Sequence, residues 1–308
     1  TRYLNPTEWD LVELTAPTPN GSKAGWFDEA CKREIRCDVN VVSGHFAGHF
    51  FGSSGYTLGL NELENHSCAQ DCKGILENPR EVYLFGCNTL ATKEKDDRFG
   101  GPEGFFRHLV DEVHQPPAVA RAVTDDRYGP FGQENRGKIQ RAFSGVPYIY
   151  GFFSGSPLGS VLGPILKKYM TTIGNFTTHF DSIVEQTKSA KTSINADLQA
   201  AMKGTNFTQC SGLDPRDPEY LLHRQLCALF DRSIPLKDRL FSVEMMLNSE
   251  KVLMLLPSIQ NFMRMNIREI KTELALIFER LQSNQNAKRI LLDSLAAVKT
   301  TVTKIEWM

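Results

Sequence analysis

The sequence predicts an α/β domain over residues 1–157, a mostly parallel sheet flanked by helices, followed by an α-helical domain over residues 158–308. Three observations carry this. In the first half, short runs rich in β-branched and aromatic residues (Asp38–Ser43, Glu81–Phe85, Ala118–Val123 and Val146–Phe153) alternate with helical patterns, and that alternation is the signature of parallel strands joined by crossover helices. From Leu158 onward the β-rich runs disappear and apolar residues recur at helical spacing, as in Met263, Ile267, Ile270, Leu274, Ile277 and Leu281. The chain has 308 residues, 41% hydrophobic and 23% charged, enough for two ordinary globular domains.

In chain order, Trp9–Ala16 reads as a strand, closed by Pro17 and the turn cluster Pro19-Asn20-Gly21-Ser22. Ala24–Glu34 reads as a short helix. The strand Asp38–Ser43 leads to His45, and the glycine- and aromatic-rich segment Phe46–Gly55 allows backbone conformations that suit a site rim. Tyr56–Leu60 reads as an edge strand and Asn61–Leu76 as a helix. Pro79 precedes the strand Glu81–Phe85, which delivers Cys87. Lys93–Arg98 is a charged, solvated loop and a candidate for activation or self-cleavage. Pro102–Val113 is a helix with proline in its first turn. Leaving aside the edge strand, Ala118–Val123 is a fourth strand, closed by Thr124–Pro130; Arg136–Phe143 is a helix and Val146–Phe153 a fifth strand. In the helical half Gly204, Cys210-Ser211-Gly212, Pro215, Pro218 and Pro235 are breaks. A second apolar stripe runs through Ala287–Ile305. No fixed-period repeat is present, so a solenoid is not predicted.

Composition removes several function classes. A formal net charge of -1 gives no electrostatic reason to expect nucleic acid as a direct partner. No apolar stretch approaches the roughly 20 residues that span a bilayer. No glycine cluster matches a phosphate-binding loop or a dinucleotide fingerprint, so no cofactor is expected. His66, Cys68 and Cys72 are an incomplete metal set and read as a packed helix face; Cys31 and Cys37 have no metal-like pattern. Seven cysteines, an odd number, fit a reducing compartment and hence the cytoplasm. One free nucleophile with three disulfides gives the same count. The Asn175-Phe-Thr and Asn206-Phe-Thr sequons carry meaning only in a secreted chain.

The chemistry lies between Val39 and Thr89. Val39-Asn40-Val41-Val42-Ser43-Gly44-His45 and Glu81-Val82-Tyr83-Leu84-Phe85-Gly86-Cys87-Asn88-Thr89 are two apolar runs, each ending on a reactive side chain. If the strands lie parallel and adjacent, a histidine and a cysteine distant in sequence emerge at one sheet edge, where open α/β sheets form their crevices. Ser43-Gly44-His45, with Phe85-Gly86-Cys87-Asn88-Thr89 some forty residues on, resembles the caspase-like (clan CD) cysteine peptidases. The nearest motifs are the metacaspase-type Ser-Gly-His-Gly and the CHAT-type Ala-Cys-x-Thr. The resemblance covers roughly residues 8–157. It implies a caspase-like sheet, His45 and Cys87 as a dyad without an obligatory third member, and backbone oxyanion donors at Cys87 and the glycine loop (Gly48 or Ala47). It also implies a protein or peptide substrate, and regulation by a partner, a sensor domain or self-cleavage.

This sequence departs from the pattern twice: Phe46 stands where the family has glycine after the histidine, and Gly86 where the CHAT pattern has alanine before the cysteine. His49, four residues beyond His45, is the competing base. Asp125 and Asp126, following the predicted fourth strand, are candidate S1-pocket carboxylates for an arginine or lysine side chain; the alternative is a turn whose aspartates bond their own backbone. Three readings follow: a cysteine endopeptidase, a catalytically silent scaffold that binds partners through its helical half, and another α/β hydrolase or transferase with Cys87 as nucleophile.

Overall fold

The computed structural model describes residues 9–15, 23–92, 100–112, 114, 116–128, 135–171, 175–190, 195–231, 233–249, 252–286 and 288–289. The charged loop Lys93–Arg98 and, apart from Lys288 and Arg289, the stripe Ala287–Ile305 lie outside them. The chain divides into two compact units, one holding the described residues up to Tyr220 and the other those from Leu221 on.

The first unit is built on a four-stranded sheet ordered β1-β5-β6-β7, from β1 (Val39–Ser43), β5 (Glu81–Phe85), β6 (Tyr148–Phe152) and β7 (Phe207–Cys210). The first three strands are parallel and β7 is antiparallel to β6. A second, antiparallel sheet of three short strands, β2 (His45–Phe46), β3 (His49–Phe51) and β4 (Thr57–Gly59), lies between β1 and β5 in the chain. The fold class is therefore α/β with a mostly parallel sheet, as the alternating pattern predicts.

Strand periodicity sends alternate side chains to opposite faces, and β5 shows it directly. Val82 and Leu84 join one core with α1 (Trp26–Lys32), α2 (Leu60–Ala69), α3 (Lys73–Leu76) and α6 (Asn135–Ala142). Tyr83 joins the other, with Tyr148, Tyr150 and Phe152 of β6 and with α7 (Gly159–Met170), α8 (Phe176–Ala190) and α9 (Ala196–Ala201). Helices thus cover both faces, which is why β5 and β6 are buried along nearly their whole length.

Three local expectations are corrected. Residues 9–15 form no strand. Ala118–Val123 is not a strand but part of α5 (Pro117–Tyr128), which follows α4 (Pro102–Arg107) and a π-helical turn, His108–Glu112. Pro117 pre-sets the first helical φ, alanines at 118, 120 and 122 favour helix, and Ala120 and Thr124, four apart, are buried. Ala120 packs with Phe105 and Leu109. The predicted helix Asn61–Leu76 breaks in two at Gln70, which takes a left-handed conformation, and Cys72 is tied there to Cys31 by a disulfide.

The predicted boundary at 157/158 falls inside the first unit, because residues beyond it supply β7 and the helices over the Tyr83 face. Phe207-Thr-Gln-Cys210 is short and lies between Gly204 and Ser211-Gly212, which read as breaks in a helical half rather than as the ends of a strand.

In the second unit the described residues from Leu221 on form the greater part of α10 (Pro218–Phe230), then α11 (Leu236–Leu247), α12 (Val252–Glu273) and α13 (Ala275–Gln282). Leu236, Leu240, Val243 and Leu247 make one stripe of α11. They share a core with Val252, Leu255, Ile259, Phe262 and Ile270 of α12 and with Leu281. No described helix is long and apolar enough to cross a membrane.

Candidate active site

β1 and β5 are paired in register from Val39 opposite Glu81 to Ser43 opposite Phe85. The Gly44 N–H extends the ladder by one bond to the Phe85 carbonyl at 3.0 Å. His45 and Cys87 each follow two residues after the last paired position, so the parallel register gives them equivalent places past the carboxyl ends of adjacent strands. Beyond that point the chains diverge: His45 starts β2, and Cys87 starts a tight turn.

The turn after β5 is heavily tied. Asn88 is in the left-handed region (φ 60°); its N–H donates to the Ser154 carbonyl at 2.8 Å and its carbonyl accepts from Asn135 Nδ2 at 2.9 Å. Thr89 Oγ1 donates to the Leu84 carbonyl at 3.2 Å and accepts from the Phe152 N–H at 3.1 Å. The Leu90 N–H closes onto the Phe152 carbonyl at 3.0 Å. Asparagine is among the few residues other than glycine that adopt this conformation readily, and here it sits immediately after the cysteine. Cys87 is a free, half-buried thiol, and its Sγ accepts a hydrogen bond from the Ser156 N–H at 3.4 Å.

His45 is exposed on β2, opposite Phe51 of β3, the ring centroids 5.4 Å apart. His49 flanks the same Phe51 ring at 5.2 Å but lies on the middle strand of the small sheet, opposite Gly59. The small sheet alternates cleanly: His45, His49 and Phe51 are exposed while Phe46, Phe50 and Leu58 are buried. Gly48 takes φ 81°, a conformation that glycine adopts readily. The neighbouring Ala47 N–H is bonded to the His49 carbonyl at 3.1 Å.

Gly86 is where the end of β5 meets the small sheet. A Cβ there would lie 2.8 Å from the Phe46 Cβ, 3.0 Å from the Gly44 carbonyl oxygen and 3.1 Å from a Phe50 ring carbon. Phe46 is 2% exposed and fills the space that an alanine at 86 would need.

The other predicted chemistry resolves differently. Asp125 and Asp126 lie near the end of α5, not in a loop after a strand, so the strand-end argument for an S1 carboxylate pair falls with the strand. Cys72 is bonded to Cys31, and His66 is held between Asp28 (Nε2, 2.8 Å) and Asp71 (Nδ1, 2.7 Å), so neither offers a free ligand atom. The Cys31–Cys72 bond belongs to the chemistry of oxidising compartments and removes the all-reduced premise behind the cytoplasmic expectation. Burial raises the thiol pKa of Cys37 and pushes that of Cys210 up to about 12. Asn175 caps the start of α8, its Oδ1 accepting from the Thr178 N–H at 3.0 Å.

Sequence reasoning missed a buried polar network on the Tyr83 face. Glu81 is 1% exposed, and its carboxyl accepts from Tyr150 at 3.0 Å and Tyr83 at 3.4 Å. Asn195 Nδ2 reaches the hydroxyls of Tyr150 (3.3 Å) and Tyr169 (2.8 Å), and Tyr169 meets His179 Nε2 at 2.8 Å. Burial raises the Glu81 pKa to about 7 against the pull of its two tyrosine donors. The signal was the Glu81/Tyr83/Phe85 alternation, which places the glutamate on the same face as two aromatic residues.

No protein-family model matches the chain, and neither a curated protein nor a solved structure matches it.

Proposed function

We propose that the protein is a cysteine endopeptidase in which Cys87 is the nucleophile and His45 the general acid and base, on a caspase-like scaffold. The observation that carries the reading is the in-register parallel pairing of β1 with β5, which sets His45 and Cys87 two residues past paired strand ends. Support comes from the turn after β5, whose hydrogen bonds through Asn88 and Thr89 fix the backbone that carries Cys87. The thiol proton passes to the imidazole, and the thiolate attacks the substrate carbonyl carbon; as the C–S bond forms, the carbonyl π pair moves to oxygen. Collapse breaks the C–N bond, and the leaving amine takes the proton from the imidazolium. His45 then removes a proton from water, whose oxygen attacks the thioester, and collapse breaks the C–S bond, releasing the acid while the departing sulfur recovers its proton from the imidazolium. General acid and base work of this kind is worth about a hundred- to ten-thousandfold. Among the described residues, the Gly48 N–H is the loop donor left for the oxyanion, since Ala47 is already bonded, and the Cys87 N–H is the second. Each well-placed donor is worth roughly 3 kcal/mol.

A peptide acyloxymethyl ketone alkylates a thiolate only when the peptide is held as a substrate, so it tests the site without a known protein substrate. The expected result is one modified residue, Cys87, with labelling lost in Cys87→Ala and turnover lost in His45→Ala but not in His49→Ala. Intact protein that leaves Cys87 unmodified by a panel of arginyl, lysyl and aspartyl ketones removes the peptidase reading. The same outcome would favour a catalytically silent scaffold, a reading kept in view by Phe46, whose ring occupies the core where the resembling motif has glycine.

A further inference from the structure

We infer that Asn206 is a positioning residue for Cys87, holding the loop after β6 so that the Ser156 N–H stabilises negative charge on the sulfur. The inference rests on the reading of Cys87 as a nucleophile. A thiolate gains more from an N–H donor than a thiol does, because hydrogen bonds to an ionised acceptor are about twice as strong as neutral ones. The Ser156 N–H points at Cys87 Sγ at 3.4 Å. What fixes that amide is a set of contacts on both sides of it. Toward the nucleophile, the Ser154 carbonyl accepts from the Asn88 N–H at 2.8 Å, strapping the loop to the turn that carries the sulfur. On the far side, the Asn206 carbonyl accepts from the Phe153 N–H at 3.0 Å while its Nδ2 donates to the Gly155 carbonyl at 3.1 Å. Asn206 thus grips the residues either side of Ser154. It is itself anchored, because the next residue, Phe207, pairs with Phe152 at the start of β7. Its amide nitrogen is engaged inward, and this is the structural role of a residue that reads in the sequence only as a sequon.

The test reads the sulfur directly, in the full chain, by peptide-resolved mass spectrometry after timed exposure to iodoacetamide. Asn206→Ala is expected to slow alkylation of Cys87 by about three- to tenfold at about pH 7 and to leave it unchanged at about pH 10, where a thiol ionises without help. A loss of equal size at both pH values would mean altered access, and no loss at either would mean that Asn206 is idle; each overturns the inference. Should Asn206→Ala fail to fold, replacing the Gly155–Ser156 amide by an ester, with the α-hydroxy analogue of serine at position 156, deletes the N–H and also weakens the Gly155 carbonyl as an acceptor for Asn206 Nδ2, so both links to the sulfur are loosened together. About a tenfold loss confined to neutral pH is then expected, and an unchanged rate rejects the inference. Peptide turnover is not part of this measurement, so a protein without peptidase activity would count against the proposed function and not against the role of Asn206.

Discussion

Gly86→Ala is expected to cost about 3 kcal/mol of folding stability, the upper part of the range for overpacking, and to abolish affinity labelling of Cys87. The added methyl would meet the Phe46 Cβ at 2.8 Å and the Gly44 carbonyl at 3.0 Å. Neither neighbour is the loose end of a flexible side chain: one is the root of a core aromatic and the other belongs to the backbone that enters the small sheet. Relief has to come from a shift of the strand end, and the strand end carries the nucleophile.

This makes the two departures from the caspase-like motif a single steric matter, since the phenylalanine after His45 occupies the room of the methyl that is missing before Cys87. A double-mutant cycle separates this from ordinary damage to the core. Phe46→Gly, which removes the Cβ, is expected to couple favourably to Gly86→Ala by about 1–2 kcal/mol. Phe46→Ala keeps the offending Cβ and is expected to couple far less, although it removes the same ring and by itself costs about 3–5 kcal/mol. Chemical denaturation of the single and double variants measures both couplings. Equal coupling for the two replacements at 46 would show that ring volume, not the Cβ contact, sets the fit.

The parts of this fold that were legible are those where one physical signal dominates. β1, β5 and β6 are short apolar runs closed by turn residues, and their parallel pairing follows from the helical patterns between them. The His45 and Cys87 positions follow from that pairing. The sequence misled where two signals compete. Ala118–Val123 satisfies an apolar strand run and an alanine-rich helix equally well, and the outcome is decided by Pro117 and by the packing of Ala120 against Phe105 and Leu109, which no local pattern contains. β7 exists because β6 offers it an edge, a tertiary fact. Glu81 heads a strand, where a charged residue reads as solvated, and only the helices laid over the Tyr83 face bury it. The Ser156 amide could not have been found at all, because a backbone donor leaves no mark on residue type.

The buried Glu81 gives the second large effect, and its sign is opposite to that of a salt-bridged carboxylate. In the folded chain the carboxyl holds its proton up to about pH 7, against an ordinary value of 4.5. Between those values the folded state binds a proton that the unfolded chain has released, so stability falls as pH rises through this window and levels off above it. Across the whole window, at about 1.4 kcal/mol for each pH unit, the loss comes to about 3 kcal/mol. The groups that face it are Tyr83, Tyr150, Tyr169 and Asn195, with Asp197 adding negative charge around Tyr169.

His179, at the far end of the network, works the other way. Burial lowers its pKa below 6.5, so the unfolded chain takes up its proton first, and stability rises with pH in the window below that value. Glu81→Gln deletes the larger of the two effects. Urea titrations at successive pH values between about 5 and 7 should show the wild type losing stability with rising pH, at up to about 1.4 kcal/mol for each pH unit. The variant should be flat, or gain slightly as the contribution of His179 is uncovered. A wild type whose midpoint rises across that interval would mean that Glu81 is ionised in the core and paired, and the tyrosine and asparagine network would then have to be read as a charge-stabilising cage around a carboxylate.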